Sequence, residues 1–149
     1  MKNTAEIISL LFFLGALLPP FWGLYMIRLD SKLIINRIFL LLSLALSVWM
    51  LGFAMANSQS TVEVALLWRR FAAIGWTSIF SLILHFFLLI TDDSRESTFC
   101  KFRPLLYIPS LILMFVFSFF FFFSAVQYNL IIVDTGWINS AVNNACWIN

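Results

Sequence analysis

The chain has 149 residues, of which 62% are hydrophobic, 18% aromatic and only 11% charged. A soluble domain carries about 25% charged residues, so this composition cannot clothe a water-exposed globule and points to an all-α integral membrane protein. The formal net charge of +2 is too small to suggest a nucleic-acid surface, and the one partner that composition demands is the lipid bilayer.

A membrane-crossing helix needs about 20 largely apolar residues. Four stretches qualify, at about 7–27, 33–56, 70–90 and 105–126, and together they make one membrane domain over 1–149. The first contains Pro19-Pro20, which removes two backbone donors and is expected to kink the helix. Its apolar run is longer than the roughly 7–15 residues of a signal-peptide core, and no small-x-small cleavage site follows it directly, so it is read as a retained helix.

Segment two, 33–56, carries small or polar residues on two sides. Asn36, Ser43 and Ser47 share one helical face with Leu40 and Ala54, while Ala45, Gly52 and Ala56 lie opposite, with Trp49 between. Small and hydroxyl-bearing residues let membrane helices approach and hydrogen-bond. Ser43, Ser47, Gly52 and Ala56 are therefore read as packing positions of a central helix.

Segment three, "WRRFAAIGWTSIFSLILHFFLLITDD", is two-faced. At ~100° per residue, Arg70, Thr77, Ser78, Ser81 and His85 fall within an arc of roughly 100°, and Trp76, Phe80, Ile83, Phe87 and Ile90 lie on the other side. Polar groups facing hydrocarbon are costly, so that arc should face the protein interior or a wet cavity. Helix packing is the commoner explanation. The sharper one is a cavity between segments two and three that senses a ligand or a proton, lined by Arg70, Thr77, Ser81 and His85, with His85 as the group most easily titrated near neutral pH. Arg69 and Arg70 at the segment's start have two readings as well: snorkelling to headgroups, or a two-pronged clamp for an extracytoplasmic carboxylate or phosphate.

Lys and Arg accumulate in cytoplasmic loops. Arg28, Lys32 and Arg37 lie between segments one and two, and Arg95, Lys101 and Arg103 between three and four. Those loops share the cytoplasmic side, which puts the N-terminus outside. Segment four opens after Pro104, a residue suited to a first helical turn, and its "FSFFFFFS" run has no polar face, as expected for a lipid-facing surface. Residues 127–149 are then an extracytoplasmic loop: too polar and broken to span, with "DTGW" as a turn and an Asn-rich end.

Asp134-Thr135-Gly136 matches the triplet of aspartic proteases, but such catalysis needs two carboxylates sharing a proton, and there is one such triplet here. No phosphate loop, HExxH, GxSxG or nucleotide fingerprint occurs. No catalytic residue, metal site or cofactor is assigned.

Segment two ends "SVWMLGFAMANS" and segment three begins "EVALLWRRFAAIGW" and ends "HFFLLITDD". Trp49 and Gly52, then Arg69 or Arg70, then Gly75 form a pattern that resembles the N-terminal seven-transmembrane region of bacterial sensor histidine kinases, also found ahead of PAS and diguanylate cyclase modules. The likeness covers about Leu33 to Trp137. It implies a partial seven-helix bundle in the cell membrane that acts as a non-catalytic sensory input module of a two-component system. The signal would be a small molecule or come from the membrane itself. Four helices instead of seven imply a truncated form of a longer sensor. The competing readings are a small four-helix transporter working as a homodimer and a membrane assembly subunit.

Cys100 and Cys146 fall on opposite sides of the membrane in this topology and should not pair. A membrane-impermeant maleimide applied to intact cells should label Cys146, and Cys100 only after permeabilisation; the reverse pattern would invert the topology.

Overall fold

The computed structural model describes residues 2–91, 103–118, 130–133 and 136–139. Its elements in chain order are α1 (Lys2–Leu29), α2 (Ile34–Asn57), α3 (Val62–Thr91), a 3-10 turn (Arg103–Leu106), α4 (Tyr107–Ser118), β1 (Leu130–Val133) and β2 (Gly136–Asn139). Three stretches, Thr4–Leu29, Ile34–Asn57 and Val62–Thr91, are long and apolar enough to cross a membrane. The expected fourth span is a helix as far as Ser118; its continuation to residue 126 lies outside the described residues. Each helix packs chiefly on its neighbour in sequence: α1 on α2, α2 on α3, α3 on α4.

Hydropathy marks the stretch that suits hydrocarbon rather than the helix ends. α3 therefore begins at Val62, eight residues ahead of Arg70. At ~1.5 Å per residue its 30 residues reach about 45 Å, beyond the ~30 Å hydrocarbon core.

The prolines of α1 lie inside a continuous helix. Proline has no N–H, so Pro20 leaves the carbonyl of Ala16, four residues back, without its helical donor. Ser47 of α2 supplies one: its Oγ donates to the Ala16 carbonyl at 2.6 Å. Near the opposite end of the same pair, Ser9 Oγ donates to the Ala54 carbonyl at 2.6 Å. The loop after α1 closes locally, with Asp30 Oδ1 accepting from the Lys32 backbone N–H at 2.8 Å and Asn36 Nδ2 donating to the Asp30 carbonyl at 2.8 Å.

The α2–α3 contact is built on absent side chains. A Cβ on Gly52 would stand 2.6 Å from Ala72 Cβ, and one on Gly75 would stand 2.5 Å from the Ala45 carbonyl oxygen and 2.6 Å from the Trp49 nitrogen. Each helix thus offers a glycine to the other's backbone, the close-approach device of membrane helices.

Where the sequence reading expects only loop, residues 130–139 contain a two-stranded antiparallel hairpin, with Leu130 opposite Asn139 and Val133 opposite Gly136. "LIIV" and "GWIN" supply the β-branched and aromatic residues that suit strands. They are too short to register as spans, which is why a reading for membrane-crossing length passes over them. Gly136 takes φ +114°, a conformation only glycine adopts readily. Asp134 and Thr135 of the expected turn lie outside the described residues. Leu130 and Trp137 are buried with Ala65, and Trp137 Nε1 donates to the Gln59 carbonyl at 2.8 Å. The hairpin therefore sits at the end of the row where α2 stops and α3 starts.

Gly75→Ala should lower stability in detergent by about 1–3 kcal/mol, because its new methyl meets backbone on two sides. Gly15→Ala should do little, since its Cβ would meet only the flexible Met50 Sδ at 3.2 Å. Reversible unfolding of the two variants compares them; equal, small effects would show that α2 and α3 do not approach this closely.

Candidate functional site

Everything polar that α3 carries in mid-membrane needs a partner, because unpaired donors and acceptors in hydrocarbon are costly. Thr77 is fully buried and bonds within its own helix, Oγ1 donating to the Ala73 carbonyl at 2.6 Å. Ser78 does the same towards Ile74 at 2.7 Å, on a more open side. Ser81 and His85 reach outward to the segment that starts at Arg103. Ser81 Oγ donates to the Leu106 carbonyl at 2.6 Å and lies 2.5 Å from Ser110 Oγ. Ser110 Oγ in turn donates to the Thr77 carbonyl at 2.7 Å. His85 Nδ1 lies 2.6 Å from the Tyr107 hydroxyl, with the two rings edge to face at 5.7 Å.

These contacts form a closed seam between α3 and α4. Ser81 and Ser110 have one hydroxyl proton each. Ser81 gives its proton to Leu106, and Ser110 has Thr77 and Ser81 as acceptors, so neither hydroxyl has a proton to spare for a ligand. At His85, either the tyrosine hydroxyl donates to Nδ1 or a protonated Nδ1 donates to the hydroxyl oxygen, according to tautomer.

The four residues expected to line one cavity are thus brought to different places. Ser81 and His85 face the turn before α4 and its start, while Thr77 sits beneath Ser110. Arg70 is half-buried and stands fifteen residues from His85, about 22 Å along the helix. The shared arc is an angular fact that says nothing of this lengthwise spread. A groove of about 300 Å³ does run between α2, α3 and α4, walled by Leu41, Leu44, Val48, Ile74, Gly75 and Leu82, with Ser78, Tyr107 and Ser110 also on its lining. None of Arg70, Thr77, Ser81 and His85 lines it.

Arg69 works at the end of the α2–α3 pair where α2 stops and α3 starts. Its guanidinium lies 4.0 Å over the Phe53 ring, a cation–π contact, and its Nη2 donates to the Trp137 carbonyl. It therefore ties the hairpin to two helices, a role absent from both the headgroup and the anion-clamp readings. The packing residues of α2 divide between its neighbours. Ser47 serves α1, and Ser43 lies under Gly23 of α1 while bonding its own helix at Phe39. Gly52 meets α3 at Ala72, and Ala56 is buried.

Tyr107 and Ser110 were missed in the sequence. The signal was there: they are the only hydroxyl-bearing residues between Leu105 and Phe117 and, three apart, they share a helix face. The phenylalanine run downstream hid them. Among the described residues no cluster of His, Cys, Asp or Glu is arranged to hold a metal ion. Compared with known proteins, the chain matches no family model, no curated protein and no solved structure.

The seam makes a measurable claim. In a double-mutant cycle, Ser81→Ala and Ser110→Ala should couple by roughly 0.5–1.7 kcal/mol in detergent unfolding, the range of membrane-buried hydrogen bonds. Strict additivity would mean that the two hydroxyls do not meet.

Proposed function

We propose that this chain is the membrane-embedded input part of a bacterial signal-transduction protein, resident in the cell membrane and without catalysis of its own. One observation carries the reading: α3 is held in two unlike ways. Towards α2 it packs backbone to backbone at Gly52 and Gly75, where an added methyl would clash with the facing helix. Towards α4 it is held by a short series of side-chain hydrogen bonds, Ser81 with Ser110 and His85 with Tyr107. Such bonds can re-pair in a second register at small net cost, because each is worth only about 1 kcal/mol. A signal then acts by favouring one of two α3–α4 packings. Trp49, Gly52 and Gly75 of the sensor-like sequence pattern all lie in this close α2–α3 contact. Arg28, Lys32 and Arg37, clustered where α1 gives way to α2, favour an outside N-terminus.

The transporter reading is weaker. A proton-coupled carrier needs an acid deep in the membrane, and among the described residues Glu6, Asp30 and Glu63 all lie near helix ends. An assembly subunit draws some support from the open groove between α2 and α4.

Spin labels at exposed Leu18 on α1 and Ile112 on α4 report the α3–α4 packing through their distance distribution. Tyr107→Phe and His85→Ala should each shift weight between two distances while the protein still inserts. A single distance, unchanged in both variants, would retire the switch.

A further inference from the structure

The joint between α3 and α4 holds the only histidine of the chain. His85 is buried, and its Nδ1 lies 2.6 Å from the Tyr107 hydroxyl with the two rings edge to face. One proton lies between those two atoms, and the phenol settles which of them donates it. A hydroxyl carries one proton and donates once. Among the described residues the Tyr107 hydroxyl has a single hydrogen-bond partner, His85 Nδ1. If Nδ1 were the donor, the proton of this half-buried phenol would have no acceptor there, and unsatisfied donors away from water are costly. So Tyr107 donates and Nδ1 accepts, which makes His85 the neutral tautomer with its proton on Nε2.

Protonation undoes this arrangement. An imidazolium carries an N–H at both ring nitrogens, so a proton arriving at Nδ1 meets the tyrosine proton donor against donor. The hydroxyl must turn its own proton away, towards no acceptor among the described residues. The other bonds of the joint join hydroxyls to hydroxyls and carbonyls, groups that do not titrate near neutral pH. Histidine ordinarily does, so acid acts on this joint at one bond.

The surroundings push the same way. α2 faces this end of α3, with Phe39 against Phe86, and its charged residue is Arg37, exposed and donating from Nε to the Ser31 carbonyl. The 3-10 turn opens with Arg103. α4 brings Tyr107 and no charged residue, and β1, uncharged, packs at Ala65 near the other end. On α3 itself the nearest charged residue is Arg70, fifteen positions earlier, while Asp92 and Asp93, beyond its last residue, lie outside the described residues. The charged groups on the facing elements are thus both cations, which offer a positive imidazolium nothing. His85 stands six residues before Thr91, where α3 ends, about 9 Å along the helix, so protons from that surface have a short way to travel.

We propose that His85 is a proton switch for the α3–α4 joint. Neutral, it accepts from Tyr107 and holds the packing described; protonated at Nδ1, it releases Tyr107 and favours the second packing. The switch rests on the two-packing reading above and names its signal as acidification.

Nitrogen NMR of the full chain in lipid nanodiscs, with isotope-labelled histidine, reads this residue alone, because the chain has one histidine. Above neutral pH the spectrum should show a bare Nδ1 and a protonated Nε2, and in acid both should carry protons. The Leu18–Ile112 spin-label distances should move to the second packing with the same midpoint. Their ratio should change by up to about tenfold per pH unit, as one proton requires. Tyr107→Phe should relax the preference for one neutral tautomer, and His85→Gln should make the distances independent of pH. A protonated Nδ1 in the neutral form, an imidazole still neutral at about pH 5, protonation without a change in distance, or a pH response that survives His85→Gln would each overturn the switch. If Tyr107→Phe and His85→Ala move the distances at fixed pH and acid does not, the two packings stand and the proton is not their signal; if neither moves them, both readings fall. The histidine spectrum of the native chain decides even where a variant does not fold.

Discussion

No water reaches backbone groups in the hydrocarbon core of a bilayer, so every carbonyl there needs a donor from the protein itself. That requirement accounts for the bond from Ser47 to the Ala16 carbonyl, and the matching need of buried hydroxyls for an acceptor accounts for the others. α1 and α2 are stitched by hydroxyls onto main-chain oxygens, Ser47 to Ala16 and Ser9 to Ala54. α3 is stitched to the segment from Arg103 onward in the same way, Ser81 to Leu106 and Ser110 to Thr77. Only the middle pair differs. There glycines bring α2 and α3 so close that backbone and side-chain atoms fill the contact without hydroxyls. Lipid tails are as apolar as leucine, so apolar matching alone gives membrane helices no reason to choose one neighbour over another. Hydroxyl-to-carbonyl bonds and glycine clefts do, because each works in one register.

Much of this layout is readable in the residues themselves. Apolar length locates α2 to within a residue at each end, because its flanks turn polar abruptly. The starts of α1 and α3 lie earlier than the sequence reading places them, because Lys2–Glu6 and Val62–Arg69 continue the helices beyond the stretches read as spans. Helical period puts Thr77, Ser81 and His85 on one face of α3. What period cannot supply is the identity of the facing residue. Tyr107 and Ser110 are brought opposite by the docking of α4, a tertiary fact. The hairpin escapes for a related reason: Trp137 and Leu130 find their partners, Ala65 and Gln59, more than sixty residues back in the chain.

On the polar face of α3, the first feature of the sequence to suggest a function, Thr77, Ser81 and His85 are engaged by protein groups, while Ser78 lies on the groove shared with α2 and α4. The chemistry of that face becomes that of a joint. Hydroxyls and an imidazole hold α4 by directional bonds of modest strength, while Gly52 and Gly75 hold α2 by shape.

The bond from Ser47 to the Ala16 carbonyl also bears on how the chain enters the membrane. Pro20 deprives α1 of its helical donor at that carbonyl, and Ser47 of α2 supplies one. Alone in the bilayer, α1 would lack that donor until α2 arrived. The energetics favour the two helices entering together as a hairpin, hinged at the loop between Asp30 and Leu33, with Ser47 reaching Ala16 as they cross. A proline that looks like a defect in one helix thus becomes a check on biogenesis: it penalises α1 for settling in lipid before its neighbour has been made.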